Sequence, residues 1–115
     1  MGLEKLNVIV NNNGIGHVGI QGGSGENTFL YDPGGSFVAT SGPSGSGNLF
    51  VGTDANLNTY VQFQQEDGPK VDVYSFEISN EEFSQITNAI DEQGGCAALF
   101  CASCSSSVLR TLGRF

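Results

Sequence analysis

Glycine-rich turns divide the first half of the chain into short apolar segments, and this pattern limits the fold more than any other feature. The turn NNNG at 11–14 separates the first two segments, and a glycine- and serine-rich loop at 42–48 follows the last one. Short alternating or apolar runs between turn residues are typical of β-strands. The sequence therefore predicts four strands in this half, at 6–10, 17–21, 27–32 and 36–40.

The segment 54–68 opens the second half and fits either a strand or a helix. The spacing of Leu57, Tyr60 and Val61 favours a short helix that ends at Gly68.

A capping box marks the start of the next helix. Residues 70–78 alternate in polarity and predict a strand, and Ser79 and Glu82 follow it with the spacing in which each side chain bonds the other's backbone N–H. The predicted helix has an apolar face made of Phe83, Ile86 and Ile90, and ends at Gly94. A last helical face consists of Val108, Leu109 and Leu112.

Length and charge limit the classes of function. A chain of 115 residues with 38% apolar residues can bury the core of one domain, predicted to span 1–115, without metal or disulfides. Its net charge is −8, and four Lys and Arg residues are too few for a phosphate-binding surface, so we expect neither nucleic acid nor membrane as a partner. The sequence shows no membrane-spanning run and no signal peptide.

Cys104 is the first candidate catalytic residue. It falls in the first turn of the last predicted helix, and Ser103 would be a suitable N-cap. Unpaired N–H groups and the helix dipole stabilise a thiolate in such a place, and the thiolate is the nucleophilic form of cysteine. A cysteine near a helix is also a common small core residue, so this position alone leaves both interpretations open.

His17 is the only histidine, and it begins the second predicted strand. A lone histidine there can be structural, but an activated cysteine with one histidine is the minimum set for nucleophilic attack on an amide or ester. Gly19 lies on the same face of the strand, and its small size would leave space for a substrate.

Two motifs resemble a known family. GHVGI, with His17 at a strand start, and CSSSVL, with Cys104 at a helix start, resemble the papain-like peptidases of the NlpC/P60 superfamily. The order, His first and Cys last, is similar to the circularly permuted branch, which includes C-terminal toxin domains of Rhs-type effectors. Residues 73–95 are similar to the segment before the nucleophile in those domains. The resemblance implies an α+β, papain-like fold in permuted order, with an antiparallel sheet packed against a few helices.

The resemblance also implies a third catalytic residue. In that family the strand after the histidine supplies a polar residue that orients the imidazole, and the matching position here is Asp32. Asp32 fits a plain turn residue before Pro33 equally well. The implied triad is Cys104, His17 and Asp32, with the backbone N–H of Cys104 in the oxyanion hole.

The function implied by the resemblance is a cysteine peptidase or amide hydrolase that acts on a protein or peptide, with no cofactor and no metal. The leading interpretation is an antibacterial toxin domain, the C-terminal part of a larger secreted effector that is delivered into a target bacterium and acts in its cytosol. Such a toxin would have a cognate immunity protein that covers the cleft. A peptidoglycan endopeptidase or amidase is the second interpretation.

Other interpretations use the same residues. CASC at 101–104 has the spacing of a thioredoxin-like redox motif. Cys96, Cys101, Cys104 and His17 are residue types that bind zinc, although their spacing lacks a second paired knuckle. A disulfide between Cys96 and Cys101 would form in an oxidising compartment. The chain could also be a non-enzymatic acidic binding module in which the histidine and the cysteines are incidental.

Overall fold

A computed structural model describes residues 3–13, 16–32, 49–93 and 101–110, with the backbone alone at 53, 54, 93 and 101–103. Several features predicted from the sequence lie outside this part of the chain: the strand at 36–40, the loop at 42–48, the helix end at Gly94, and Leu112.

The described residues form one five-stranded antiparallel sheet. Its strands are β1 (Leu3–Asn11), β2 (His17–Gly22), β3 (Phe29–Tyr31), β4 (Leu49–Val51) and β5 (Val71–Ser79). They lie in the order β4-β3-β2-β1-β5. The edges of the sheet are therefore the three-residue β4 on one side and the nine-residue β5 on the other.

The strands predicted at 6–10, 17–21 and 70–78 are confirmed, but the third strand is shorter than predicted. Gly25–Asn27 forms a 3-10 turn, so β3 begins only at Phe29. The sequence did not predict β4. Three residues after a glycine- and serine-rich stretch are too few to show a strand period, and β4 exists because it pairs with β3.

Three helices occur in the described residues: α1 (Leu57–Gln65), α2 (Asn80–Gln93) and α3 (Cys101–Arg110). The short helix predicted within 54–68 is confirmed, and Asn56 caps it by accepting the Thr59 N–H at 2.9 Å. The capping box of α2 is confirmed as well. The Ser79 N–H donates to Glu82 Oε1 at 2.9 Å, and the Glu82 N–H donates to Ser79 Oγ at 3.1 Å.

Each face of the sheet has its own apolar core. On the face covered by α2 and α3, called the α3 face, the buried core residues are Leu6, Val8, Ile20, Phe29, Tyr31, Ile78, Ile86, Ile90, Val108 and Leu109. On the opposite face, called the α1 face, they are Ile9, Leu30, Phe50, Ala55 and Tyr60. The chain thus has an α+β fold in which the sheet separates two layers of helix.

The alternation predicted for β2 is confirmed by these two cores. Val18 and Ile20 pack into the core of the α3 face. Because successive side chains of a strand point to opposite faces, His17, Gly19 and Gln21 point to the α1 face.

Candidate active site

His17 is the first residue of β2, and its ring lies on the α1 face. Gly16, directly before it, has a φ of 95°, a conformation that glycine adopts readily, and this residue leads the chain into the strand. The His17 side chain is 14% exposed. The imidazole is therefore held by the fold and still accessible from solvent.

Asp32 contacts His17. The pairing of Ile20 with Tyr31, continued by one residue, places Asp32 next to Gly19 at the end of β3. The Asp32 side chain is 1% exposed, and its Oδ1 accepts a hydrogen bond from Nε2 of His17. Because a carboxylate can only accept, this contact requires the hydrogen on Nε2 and assigns proton exchange with a substrate or nucleophile to Nδ1.

Tyr60 is a third member of this cluster, and the sequence interpretation did not give it a role there. The Tyr60 side chain of α1 is fully buried, and its hydroxyl donates to Asp32 Oδ1 at 2.6 Å. The donors of Tyr60 and His17 therefore converge on one carboxylate oxygen. A tyrosine on the buried face of a predicted helix could have signalled this role, because a buried phenol needs a hydrogen-bond partner.

Gly19 does not leave space for a substrate, contrary to the expectation from the sequence. A Cβ built at Gly19 would lie 2.3 Å from the Tyr60 hydroxyl oxygen and 2.8 Å from its ring carbon Cζ. The Tyr60 ring already fills the space above this glycine. Gly19 is small because α1 packs closely on β2 here, and this packing brings the phenol to Asp32.

The helix that carries Cys104 begins three residues earlier than predicted. Because α3 starts at Cys101, Ser103 lies inside the helix and is not its N-cap. The unpaired N–H groups of a helix start belong to the residues before Cys104, so Cys101 holds the position that the sequence interpretation gave to Cys104. Cys104 is 7% exposed and takes part in a disulfide. The side chains of Cys96 and Cys101 lie outside the described residues.

The cysteine helix packs beside the strand of His17, but on the other face of the sheet. Ser105 Oγ donates to the carbonyl oxygen of Val18 at 2.8 Å. Cys104 directly precedes Ser105, and His17 directly precedes Val18. Both are therefore next to a residue that joins α3 to β2. The imidazole itself faces α1, so the structure joins His17 to Asp32 and places the Cys104 helix across the sheet from the ring.

A buried polar network continues along the α1 face beyond Gly19. Gln21 Nε2 donates to the carbonyl oxygen of Ala55 at 3.0 Å, and Asn7 Nδ2 donates to Gln21 Oε1 at 2.8 Å. Ser75 Oγ donates to Asn7 Oδ1 at 2.6 Å. These bonds tie β5, β1 and β2 to the 3-10 turn before α1, and so fix the surroundings of Tyr60. Asn7 within the otherwise apolar run 6–10 was the signal for this network.

No group of three or more His, Cys, Asp and Glu side chains among the described residues is arranged to hold a metal ion. The alternative zinc set includes Cys96 and Cys101, whose side chains are outside the described residues. None of the helices described is long and apolar enough to cross a membrane.

No known protein family, curated protein or solved structure matches the chain. The features that bear on function are therefore the cluster formed by His17, Asp32 and Tyr60 and the cysteine helix beside it.

Proposed function

We propose that the chain is a thiol-dependent amide hydrolase in which His17 transfers protons and Asp32 orients the imidazole. The contact between Nε2 of His17 and the buried Oδ1 of Asp32 supports this function more than any other observation. A carboxylate behind an imidazole fixes the ring and stabilises its protonated form, which is what a general base needs during attack. The nucleophile comes from the start of α3 and is Cys104 or Cys101.

The reaction runs in two steps. His17 Nδ1 takes the thiol proton, and the thiolate attacks the carbonyl carbon of the amide. The imidazolium then protonates the leaving amine as the C–N bond breaks, which leaves an acyl-enzyme. In the second step His17 deprotonates a water molecule, the hydroxide attacks the thioester, and the thiol and a carboxylic acid are released. This chemistry requires contact between the His17 ring and the cysteine sulfur. Because the ring and α3 lie on opposite faces of the sheet, the contact must pass the first residue of β2.

The disulfide at Cys104 means that the proposed hydrolase would need a reducing compartment to use this sulfur. A sulfur in a disulfide cannot form the thiolate, so Cys104 is not a nucleophile in the described state. Two cytosolic thiols, such as glutathione, would cleave the S–S bond, release two protein thiols and form a disulfide between themselves. This favours the interpretation as a toxin domain that crosses an oxidising space and acts in a target cell's cytosol, over a peptidoglycan hydrolase.

The first test measures cysteine reactivity in the reduced protein. Iodoacetamide labelling is followed by mass spectrometry of peptides that separate Cys96, Cys101 and Cys104, over a range of pH. We expect one α3 cysteine to react well below neutral pH, and to lose this reactivity in His17→Ala and most of it in Asp32→Asn. Cys96→Ala is the matched control and should change nothing. Equal, ordinary reactivity of all three thiols would overturn the proposed base and nucleophile.

The second test places the reaction in a compartment. A bacterial host expresses the chain in the cytosol or with a periplasmic signal, beside His17→Ala, Cys101→Ala and Cys104→Ala. Cytosolic toxicity lost with His17→Ala and with one cysteine variant supports an intracellular protein substrate, and identifies the nucleophile. Toxicity from the periplasm alone would point to peptidoglycan. A protein that binds the chain and abolishes the toxicity would be the expected immunity partner.

A non-enzymatic acidic binding module is the second candidate. The observation that favours it is again the disulfide, because a buried, oxidised Cys104 can stabilise the fold without taking part in any reaction. In that case His17 and Asp32 only fasten the end of β2 to β3 and α1. The module predicts ordinary thiol reactivity after reduction, and a loss of stability in Asp32→Asn without any change in labelling.

A further inference from the structure

The outer edge of β5 is open to solvent. β5 pairs with β1 through all nine residues, and in the sheet formed by the described residues no strand lies beyond it. Four successive residues, 72–75, are exposed, and so is Glu77. Val73 and Tyr74 point to opposite faces and are 39% and 52% exposed. Residues 72–75 are thus exposed on both faces of the sheet.

The ladder with β1 shows which backbone groups face outward. The Asn12 N–H donates to the carbonyl oxygen of Lys70 at 2.8 Å, in register with the β1–β5 pairing. Backbone groups in an antiparallel strand point alternately toward and away from the neighbour. Counting from Lys70, the N–H and C=O groups of Val73, Ser75 and Glu77 point away from β1, to the open edge.

This edge lacks most of the features that keep edge strands from pairing. Short length, proline, bulges and lysine are the common protections, and the opposite edge, β4, is only three residues long. β5 is nine residues long, and its only charged residues are Asp72 and Glu77. Two carboxylates on a chain of net charge −8 attract a basic strand and repel an acidic one.

A second copy of the chain is a poor occupant of this edge. Three antiparallel registers overlap by seven or more residues, centred on Tyr74, Ser75 or Phe76. In the first two a carboxylate lies opposite an apolar side chain, and the third is opposed by charge alone. The first places Asp72 opposite Phe76 of the other copy, and the second places Glu77 opposite Val73. Each copy also carries the same net charge of −8, so the two chains repel.

We propose that β5 is a docking edge for an extended, basic segment of another protein, which adds to the sheet as a further antiparallel strand. Main-chain hydrogen bonds would form at Val73, Ser75 and Glu77, and two Lys or Arg residues five positions apart would lie opposite Asp72 and Glu77. Apolar partner residues would cover Val73 and Tyr74. This inference stands apart from the proposed hydrolase, and holds for either candidate function.

The probe is a synthetic nine-residue peptide that matches this pattern, TTKTTVVKT, and its control is TTETTVVET. Each is titrated into the 15N-labelled chain, followed by chemical shifts and amide hydrogen exchange. We expect the lysine peptide to bind at least about tenfold more tightly than the glutamate peptide, since like charges across an interface disfavour binding. Bound lysine peptide should slow exchange at Val73, Ser75 and Glu77.

Two pairs of variants make the test specific. Asp72→Lys with Glu77→Lys should reverse the preference between the peptides. Because Lys5 lies opposite Glu77 on β1, Glu77→Lys would place two lysines side by side. Asp72→Lys alone is therefore the second variant if the double variant does not fold. Val73→Pro removes an outward N–H and should abolish binding, whereas its matched control Val73→Ala keeps the N–H and should bind.

Equal binding of both peptides, shifts confined to other elements, or no binding at millimolar peptide would each overturn the proposal. So would self-association of the chain that Val73→Pro removes, because the occupant would then be a second copy.

Discussion

Tyr31 limits the pH range of the fold. It is fully buried at the end of β3, and burial raises its pKa from 10.0 to about 12. Below about pH 10 the phenol is neutral in the folded and the unfolded chain, so it adds no pH dependence. Between about pH 10 and 12 the unfolded chain loses this proton first, and the free energy of unfolding falls as pH rises. The loss reaches about 2–3 kcal/mol above pH 12.

Urea unfolding of Tyr31→Phe at several pH values measures this contribution, because phenylalanine keeps the ring and removes the ionisable group. We expect the alkaline loss of stability to be smaller in this variant than in the wild type by that amount. Tyr74→Phe is the matched control, since it removes the same hydroxyl from a side chain that is 52% exposed. An identical alkaline decline in Tyr31→Phe and the wild type would contradict the prediction.

Substitutions at Gly19 and Tyr60 should have coupled effects on the free energy of unfolding. Gly19→Ala places a methyl group against the Tyr60 ring, so we expect it to lower the free energy of unfolding by about 1–3 kcal/mol and to move the phenol away from Asp32. Combined with Tyr60→Ala, which removes the ring, the alanine at 19 should cost little. A double-mutant cycle by urea unfolding gives the coupling, and additive effects would show that the two residues do not meet.

At the level of single elements, the start of α2 offers the cleanest test. Ser79→Ala removes the hydroxyl that accepts the Glu82 N–H, and we expect a loss of about 1 kcal/mol of stability. Ser84→Ala is the matched control: Ser84 is exposed inside the same helix, where alanine is the better helix former. A chemical denaturation curve for each variant measures the change in its free energy of unfolding. Equal effects would mean that the cap contributes nothing.

Elements with a local signal could be predicted from the sequence, and those set by tertiary contacts could not. The capping box at Ser79 and the alternation at His17–Gln21 are properties of neighbouring residues, and both are found in the structure. β4 is defined by its pairing with β3 and has no pattern of its own in the sequence. The start of α3 was misplaced because Ser103 resembles an N-cap, although the helix begins before it, at Cys101.

The candidate site divides in the same way. The contact of His17 with Asp32 was expected from the family resemblance alone, and the residues themselves fitted a plain turn at Asp32 equally well. Tyr60 was not assigned to the site, since it lies 28 residues from Asp32 in the sequence and only the packing of α1 on Gly19 brings the phenol there. The disulfide at Cys104 could not be foreseen either, because three cysteines leave their pairing open.

For the molecule as a whole, the sheet separates polar chemistry from apolar packing. The α3 face holds the larger apolar core, whereas the α1 face combines a smaller core with the cluster at Asp32 and the network at Asn7 and Gln21. Because apolar burial carries most of the stability, the α3 face can keep the fold while the α1 face holds buried polar groups that would weaken a single core. This division lets a 115-residue chain hold a buried carboxylate, Asp32, with its imidazole partner, His17.

The net charge of −8 is the last property of the whole molecule with a measurable effect on stability. Glu81 lies in the first turn of α2, where the helix dipole favours a negative charge, and Glu92 lies in the last turn, which contains no basic residue. Glu81→Gln and Glu92→Gln change the net charge equally. If uniform repulsion governs stability, both should stabilise the chain by the same amount.

We expect a difference instead. At low ionic strength Glu92→Gln should be more stable than Glu81→Gln by about 0.5–2 kcal/mol, the sum of a dipole contribution at each end of the helix. Thermal unfolding at about 10 mM and 1 M NaCl measures it, and the difference should shrink at high salt, where exposed charges are screened. A difference that persists in 1 M salt would show that side-chain packing, and not charge, separates the two variants.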